Sequence, residues 1–133
     1  MIQPEKLRIG NYIRTEPRSE NNYYKVLKVD ETMGSVSVEH HVPIATKSTN
    51  KENINLNCCF PIDITTEILN SSGFRETSPY KYANGELYLQ IKRYGEVSVH
   101  SENEDVVIHV SGINELQNAY NSITGKELAI VFS

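Results

Sequence analysis

Tryptophan is absent from this 133-residue chain, and its only two cysteines, Cys58 and Cys59, are adjacent. Neighbouring cysteines cannot form an ordinary disulfide framework, so a hydrophobic core must hold the fold. No stretch approaches the ~20 apolar residues that a membrane-spanning helix needs. The opening Met1-Ile2-Gln3-Pro4-Glu5-Lys6 lacks the apolar segment of a secretory leader. Basic charge is also in short supply, with 13 Lys and Arg against 17 Asp and Glu, a formal charge of -4 and a pI of about 5.6. That balance argues against a general binder of nucleic acid or anionic membrane, because the cations that neutralise phosphates are missing. What is present is a 38% hydrophobic content in regular patterns, too much and too ordered for a disordered chain. A chain of this size buries about two thirds of its unfolded surface, enough for a core without staples. The expectation is a cytoplasmic, β-rich protein with no bound cofactor or metal.

The first 60 residues read as short strands. Leu7 and Ile9 alternate with charge, Gly10-Asn11 interrupts as a bulge or bend, and Tyr12-Ile13 follows. Tyr24, Val26 and Val29 mark a second strand, Asp30 to Gly34 supplies turn chemistry, and Val36, Val38, His40 and Val42 continue at period two. Ala45 to Lys51 reads as a surface loop. Ile54, Leu56, Cys58 and Phe60 then alternate with polar neighbours, which predicts a strand with Cys58 inside and Cys59 outside. Several short curved strands in so few residues suggest a small barrel of SH3-like size.

Beyond Pro61 the pattern changes. Thr65 can cap a short helix to about Ser72, with Ile68 and Leu69 inward and Gly73 as its left-handed terminator. Asn84-Gly85 is a strong two-residue hairpin signal. Folding there pairs Tyr82 with Leu87 and Tyr80 with Leu89. The turn at Arg93-Tyr94-Gly95 pairs Ile91 with Val97 and Leu89 with Val99, and sets Lys92 opposite Glu96. With Val106, Ile108 and Val110 these strands make a four-stranded antiparallel meander. Ser111 can cap an amphipathic helix carrying Ile113, Leu116, Ala119, Tyr120 and Ile123, which Thr124-Gly125 ends. Leu128, Ile130 and Phe132 read as a closing strand, with Ala129 and Val131 apolar on its other side. The fold class is α+β: residues 1–60 an SH3-like β-barrel module, residues 61–133 helix, meander, helix and strand, the two packed as one unit.

Three stretches resemble a known family. Leu7-Arg8-Ile9-Gly10-Asn11-Tyr12-Ile13 is similar to its Leu-Arg-Ile-Gly-Asn opening, and Pro61 to Leu69 with Gly73-Phe74 is similar to its Pro-Ile-Pro-Leu-Thr-Glu-Glu-Trp-Leu helix. Leu116-Gln117-Asn118-Ala119-Tyr120 and Thr124-Gly125-Lys126-Glu127-Leu128 resemble its closing helix and Thr-Gly-Glu-Glu-Leu tail. It is a family of small uncharacterised proteins of Bacteroides-type bacteria and their prophages. The chain departs from it at Asp63, Ile68 and Asn114, where the family has proline, tryptophan and often histidine. The resemblance implies a bacterial or phage origin and transfers no catalytic residue.

No chemical constellation survives inspection. His40-His41 with Cys58-Cys59 could offer at most one histidine and one cysteine to a metal, because strand neighbours point to opposite faces. A Cys59–His41 nucleophile pair lacks any signature for an orienting acid or an oxyanion hole. Thr124-Gly125-Lys126 follows a helix instead of preceding one, unlike a phosphate loop. Glu102, Glu104 and Asp105 lack calcium-loop spacing and would be the site of a metal-dependent hydrolase only with further ligands. The tyrosines are divided between core faces and positions among mixed charge, which weakens a nucleic-acid accessory reading. The reading is therefore a non-enzymatic interaction or accessory module whose partner is another protein or a second copy. Two surfaces qualify: the outer meander face with Lys81, Tyr88, Gln90 and Lys92, and the Ala129 and Val131 side of the last strand. The hairpin carries its own test. Gly85→Val, measured by chemical denaturation, is expected to lose on the order of 1 kcal/mol or more through forced positive φ, and a neutral result would remove the turn.

Overall fold

The computed structural model describes residues 2–15, 23–41, 51–92 and 96–132, with His41 described by its backbone alone. It is an α+β protein with two antiparallel sheets and one main helix. Its contacts divide into two compact units, Met1–Ile62 and Asp63–Ser133.

In the first unit β1 (Tyr12–Arg14), β2 (Tyr23–Asp30), β3 (Ser35–His41) and β4 (Lys51–Asn55) form a sheet in sequential order. Among the described residues neither sheet closes into a barrel. An isolated bridge nevertheless returns the chain to β1, with Arg14 and Phe60 exchanging backbone hydrogen bonds of 3.0 and 2.8 Å. Ile13, Val26, Val36, Val38 and Cys59 are buried on one side of this sheet with Ile2 and Leu7. The three-residue step from Val26 to Val29 is accommodated by a register shift between Val26 and Lys28, as a bulge requires.

Several expectations for this unit are corrected. Leu7 to Ile9 is not a strand: a 3-10 turn at Pro4–Lys6 precedes it, Leu7 is buried and Ile9 exposed. Gly10 takes φ +96°, and the buried Asn11 side chain accepts the Arg8 N–H at 2.6 Å. Lys51, placed in a loop from sequence, opens β4, while Val42 and the rest of that loop lie outside the described residues. The strand through Phe60 stops at Asn55, because Asn55 Oδ1 accepts the Asn57 N–H at 2.9 Å and starts a 3-10 turn at Leu56–Cys58. Three residues per turn break the period of two, so the cysteines exchange places: Cys58 is exposed and Cys59 is buried.

The second unit opens with α1 (Thr66–Ser71), capped by Thr65 Oγ1 accepting the Ile68 N–H at 3.2 Å. Gly73 at φ +94° reverses the chain, and Phe74, fully buried, donates its N–H to Leu69 at 3.0 Å. β5 (Arg75–Ser78), β6 (Lys81–Ala83), β7 (Leu87–Ile91), β8 (Val97–Ser101) and β9 (Val107–Val110) form a meander of five strands, one more than expected. The register of the second hairpin, Ile91 with Val97 and Leu89 with Val99, is as read from sequence, though residues 93–95 of its turn lie outside the described residues.

The first hairpin is displaced by two. Tyr82 pairs with Leu89 and Ala83 with Tyr88, and the Asn84 N–H bonds the Leu87 carbonyl at 3.4 Å. The link between β6 and β7 is therefore Asn84 to Glu86, with the chain reversing at Gly85-Glu86. Asn84 Oδ1 accepts the N–H groups of Glu86 and Leu87 at 3.0 and 3.3 Å, an Asx turn that accompanies a reversal at Gly85-Glu86 instead of Asn84-Gly85. A shift of two keeps every side chain on its face, which is why Tyr82, Leu87 and Leu89 are buried as expected. Tyr80 is not: it falls in the β5–β6 turn at φ +65° and is 69% exposed.

α2 (Ile113–Thr124) packs on β8 and β9 with Ile113, Leu116, Ala119 and Tyr120 buried. Gly112, not Ser111, is its N-cap. Glu115 in the first turn reaches back to accept the Ser111 N–H at 3.1 Å and its hydroxyl. The tail after Gly125 is extended but joins no ladder, so the expected last strand is corrected. Leu128, Ile130 and Phe132 are buried alternately with exposed Ala129 and Val131, and the Val131 N–H donates to Ser72 Oγ at 2.9 Å. The cysteine exchange is directly measurable. Native protein treated with iodoacetamide is expected to be labelled at Cys58 first, with Cys59 reacting only on unfolding; equal native rates in peptide mass mapping would contradict the 3-10 turn.

Candidate functional site

The five-stranded sheet buries one face, and its other face carries the most ordered polar arrangement among the described residues. Register places Arg75, Ala83, Tyr88, His100 and Val107 in one row across the strands, and Lys81, Gln90, Ser98 and His109 in the next. The Tyr88 ring stacks on His100 with centroids 4.6 Å apart and planes 2° from parallel. On the other neighbour, the Lys81 ammonium sits 4.2 Å from the Tyr88 ring centroid, inside cation–π range. The Tyr88 hydroxyl donates to Glu104, whose turn is set by φ +61° and a 2.9 Å hydrogen bond from its N–H to Ser101.

These contacts fix charge states. The hydrogen bond to Glu104, then burial and the carboxylate's charge, pushes the Tyr88 phenol pKa up. His100 is shifted down, chiefly by burial, with Lys92, His109 and Lys81 adding repulsion and Glu104 opposing. Ser98 is fully buried beside it, with Oγ 2.8 Å from His100 Nε2 and 3.4 Å from the Gln90 carbonyl.

Next to Tyr88 an open cleft of about 350 Å³ is lined by Thr77, Lys81, Glu86, Leu87, Tyr88 and Glu102 among others. Its rim is anchored to α2. The Tyr120 hydroxyl donates to Glu86 Oε2 at 2.5 Å and accepts from Asn84 Nδ2 at 3.1 Å, while Lys126 pairs with Glu86 Oε1. The hydrogen bonds from Lys126 and then Tyr120 hold the Glu86 carboxyl below its usual range.

The residues singled out from sequence separate into groups. Lys81 and Tyr88 are brought into contact. Lys92 is exposed just past β7, where its N–H donates to Glu96 at 2.7 Å. Ala129 and Val131 lie on the extended tail, Val131 at 49% exposure. The Cys59–His41 pair is corrected, since Cys59 is interior, its thiol pushed up to about 11 by burial and then by Cys58. His40 lies against Tyr24 at 4.9 Å. Among the described residues no three His, Cys, Asp or Glu side chains gather as metal ligands. Sequence reasoning offers His100 only as a further metal ligand and not as part of this surface, although the register read from sequence puts it opposite Tyr88. Glu104 and Glu86 had no such signal, because loop geometry delivers them.

The chain matches no protein-family model, no curated protein and no solved structure. No helix among the described residues is long and apolar enough to cross a membrane.

The His100 shift implies a signed pH dependence. Its folded pKa lies below the ordinary value of about 6.5, so the unfolded chain takes up the proton first. Its contribution is complete above that value and diminishes as pH falls from there towards the folded pKa. NMR titration is expected to place His100 below 6.5, and His100→Gln to flatten the stability slope in that window. A His100 titrating at or above 6.5 would contradict the dominance of burial over the Glu104 charge.

Proposed function

We propose that this chain is a non-enzymatic protein-interaction or accessory module, with the outer face of β6, β7 and β8 as its partner surface. The observation that carries this reading is the preformed stack of Lys81, Tyr88 and His100 beside an open cleft. A tyrosine already held on both sides gives a partner a large amphipathic contact with little further ordering to pay for. Lys81, Thr77, Glu86 and Glu102 around it match the polar rim of an interface. Catalysis by the Ser98–His100 pair is disfavoured because Ser98 has no exposed surface for a substrate to reach.

The first unit we read as SH3-like. Sequential antiparallel order, a 3-10 turn after β4 and the return of Phe60 to β1 support that reading. The resemblance of its Leu7–Ile13 stretch, together with the Pro61 and Leu116 motifs, supports a bacterial or prophage origin.

A second reading, a nucleic-acid accessory protein, is favoured by one observation. Cations that the sequence interleaves with acids are collected by register on the outer face of the first sheet, where Lys25, Lys28 and Lys51 lie with Tyr12 and Tyr23 around Glu39. Residues 1–62 carry eight Lys and Arg against seven Asp and Glu, whereas residues 63–133 carry five against ten. The acidic excess therefore belongs to the second unit, which is the one offering the protein-binding surface.

Co-purification from a bacterial host separates these readings. Tyr88→Ala is expected to keep a cooperative unfolding transition, lowered by about 1 kcal/mol for the lost stack on His100, and Lys81→Ala to lower it less, while both lose a protein captured by the wild type. Equal recovery by both variants would overturn the surface, and release of the bound material by nuclease would favour the second reading.

A further inference from the structure

The five-stranded sheet has two edges, and they are built differently. β5 is fully exposed but guarded: it carries Arg75 and Glu76, its register breaks between Glu76 and Ser78, and Pro79 follows. Charge, a bulge and a proline are the devices that stop an edge from pairing with another chain. β9 has none of them. Val106-Val107-Ile108-His109-Val110 is β-branched apart from His109, and Val106 and Val107 are 43% and 46% exposed. No strand pairs with its outer side among the described residues.

The direction of its backbone groups follows from the ladder. The Ser101 N–H bonds the Val106 carbonyl at 3.0 Å, which makes residues 101 and 106 a hydrogen-bonded pair. Alternation then gives the same character to Val99 with Ile108 and Val97 with Val110. Val107 and His109 consequently aim both N–H and C=O away from β8. The Ser111 N–H is already taken by Glu115, so the free stretch is confined to these two residues.

We propose that β9 pairs antiparallel with β9 of a second copy of this chain, about a two-fold axis at Ile108. The register is self-complementary: each Val107 meets His109 of the other copy, and the two N–H and two C=O groups of each such pair are satisfied. The strand bears no carboxylate or ammonium, so like approaches like without repulsion along it. A C2 pair also removes the unguarded edge from both copies at once, which a lone partner peptide does for only one. Side chains facing each other across an antiparallel pair lie on one face, so the Tyr88–His100–Val107 row would run on into His109, Ser98 and Gln90 of the second copy. The two candidate partner surfaces would then form one continuous face. This pairing does not depend on the identity of any outside partner.

Sedimentation equilibrium and amide hydrogen exchange on the full chain test it. With rising concentration the mass is expected to double from the 15.1 kDa monomer, and the Val107 and His109 amides to pass from fast to slow exchange. Ile108, bonded to β8, should be slow throughout. His109→Pro removes only an outward donor and is expected to stay folded and monomeric; Val107→Lys, which adds the missing edge charge, should do the same and decides the matter if the proline variant unfolds. A wild type that stays monomeric at the highest concentration overturns the proposal. So does a dimer in which Val107 and His109 still exchange fast, or one that persists in the folded variants.

Discussion

The side chain of Asn84 sits at the junction on which the second unit is organised. Its carbonyl oxygen holds two loop N–H groups and its amide donates to Tyr120 of the main helix. The first pair of bonds sets the reversal at Gly85-Glu86 and thereby the register of β6 on β7. In that register Lys81 lies opposite Gln90 and diagonal to Tyr88, and its ammonium covers the Tyr88 ring across the diagonal. The third bond ties the loop to α2, and Glu86, two residues on, reinforces the tie through Tyr120 and Lys126. Sheet, helix and cleft rim are therefore positioned by one short polar network. Such networks specify geometry because each group left unpaired in a semi-buried site costs more than the bond itself contributes.

The same network explains what could be read in advance. Period-two patterning exposed the inner face of the meander, since burying Tyr82, Leu87, Leu89, Val97 and Val99 together is the only way to use them. Helix ends were readable because Thr65, Gly73 and Gly125 have local chemistry that works whatever the rest of the chain does. Where local choices compete, sequence reading failed. Asn84-Gly85 reads as the centre of a two-residue turn, but the Asn84 side chain bonds the Glu86 and Leu87 N–H groups and the reversal falls one residue later. Its amide also donates to Tyr120 of a helix 36 residues away. Asn55 likewise ends β4 early, in a stretch whose alternation continues on paper through Phe60. The tail kept its alternation of burial yet formed no strand, because it is anchored through Ser72 and not through a neighbouring ladder.

The candidate surface was legible only in part. Tyr88 and Lys81 could be assigned to the outer face from parity alone, and His100 was available by extending the second hairpin one pair further. Glu104 and Glu86 depend on loop paths that no periodicity encodes. Of the two surfaces named from sequence, the meander face brings Lys81, Tyr88 and His100 into contact, and the other is an exposed tail flank at Ala129 and Val131.

The two-residue displacement of the first hairpin has a consequence for how such a sheet can change over generations. Sliding one strand of a hairpin along the other by an even number of residues returns each side chain to the face it left, so the core is inherited intact. An odd slip turns Leu87 and Leu89 outward and delivers Tyr88 to the interior. Changes of pairing in this hairpin are therefore filtered by parity. Lineages can drift through even steps, altering the cleft rim while leaving the packing beneath it untouched.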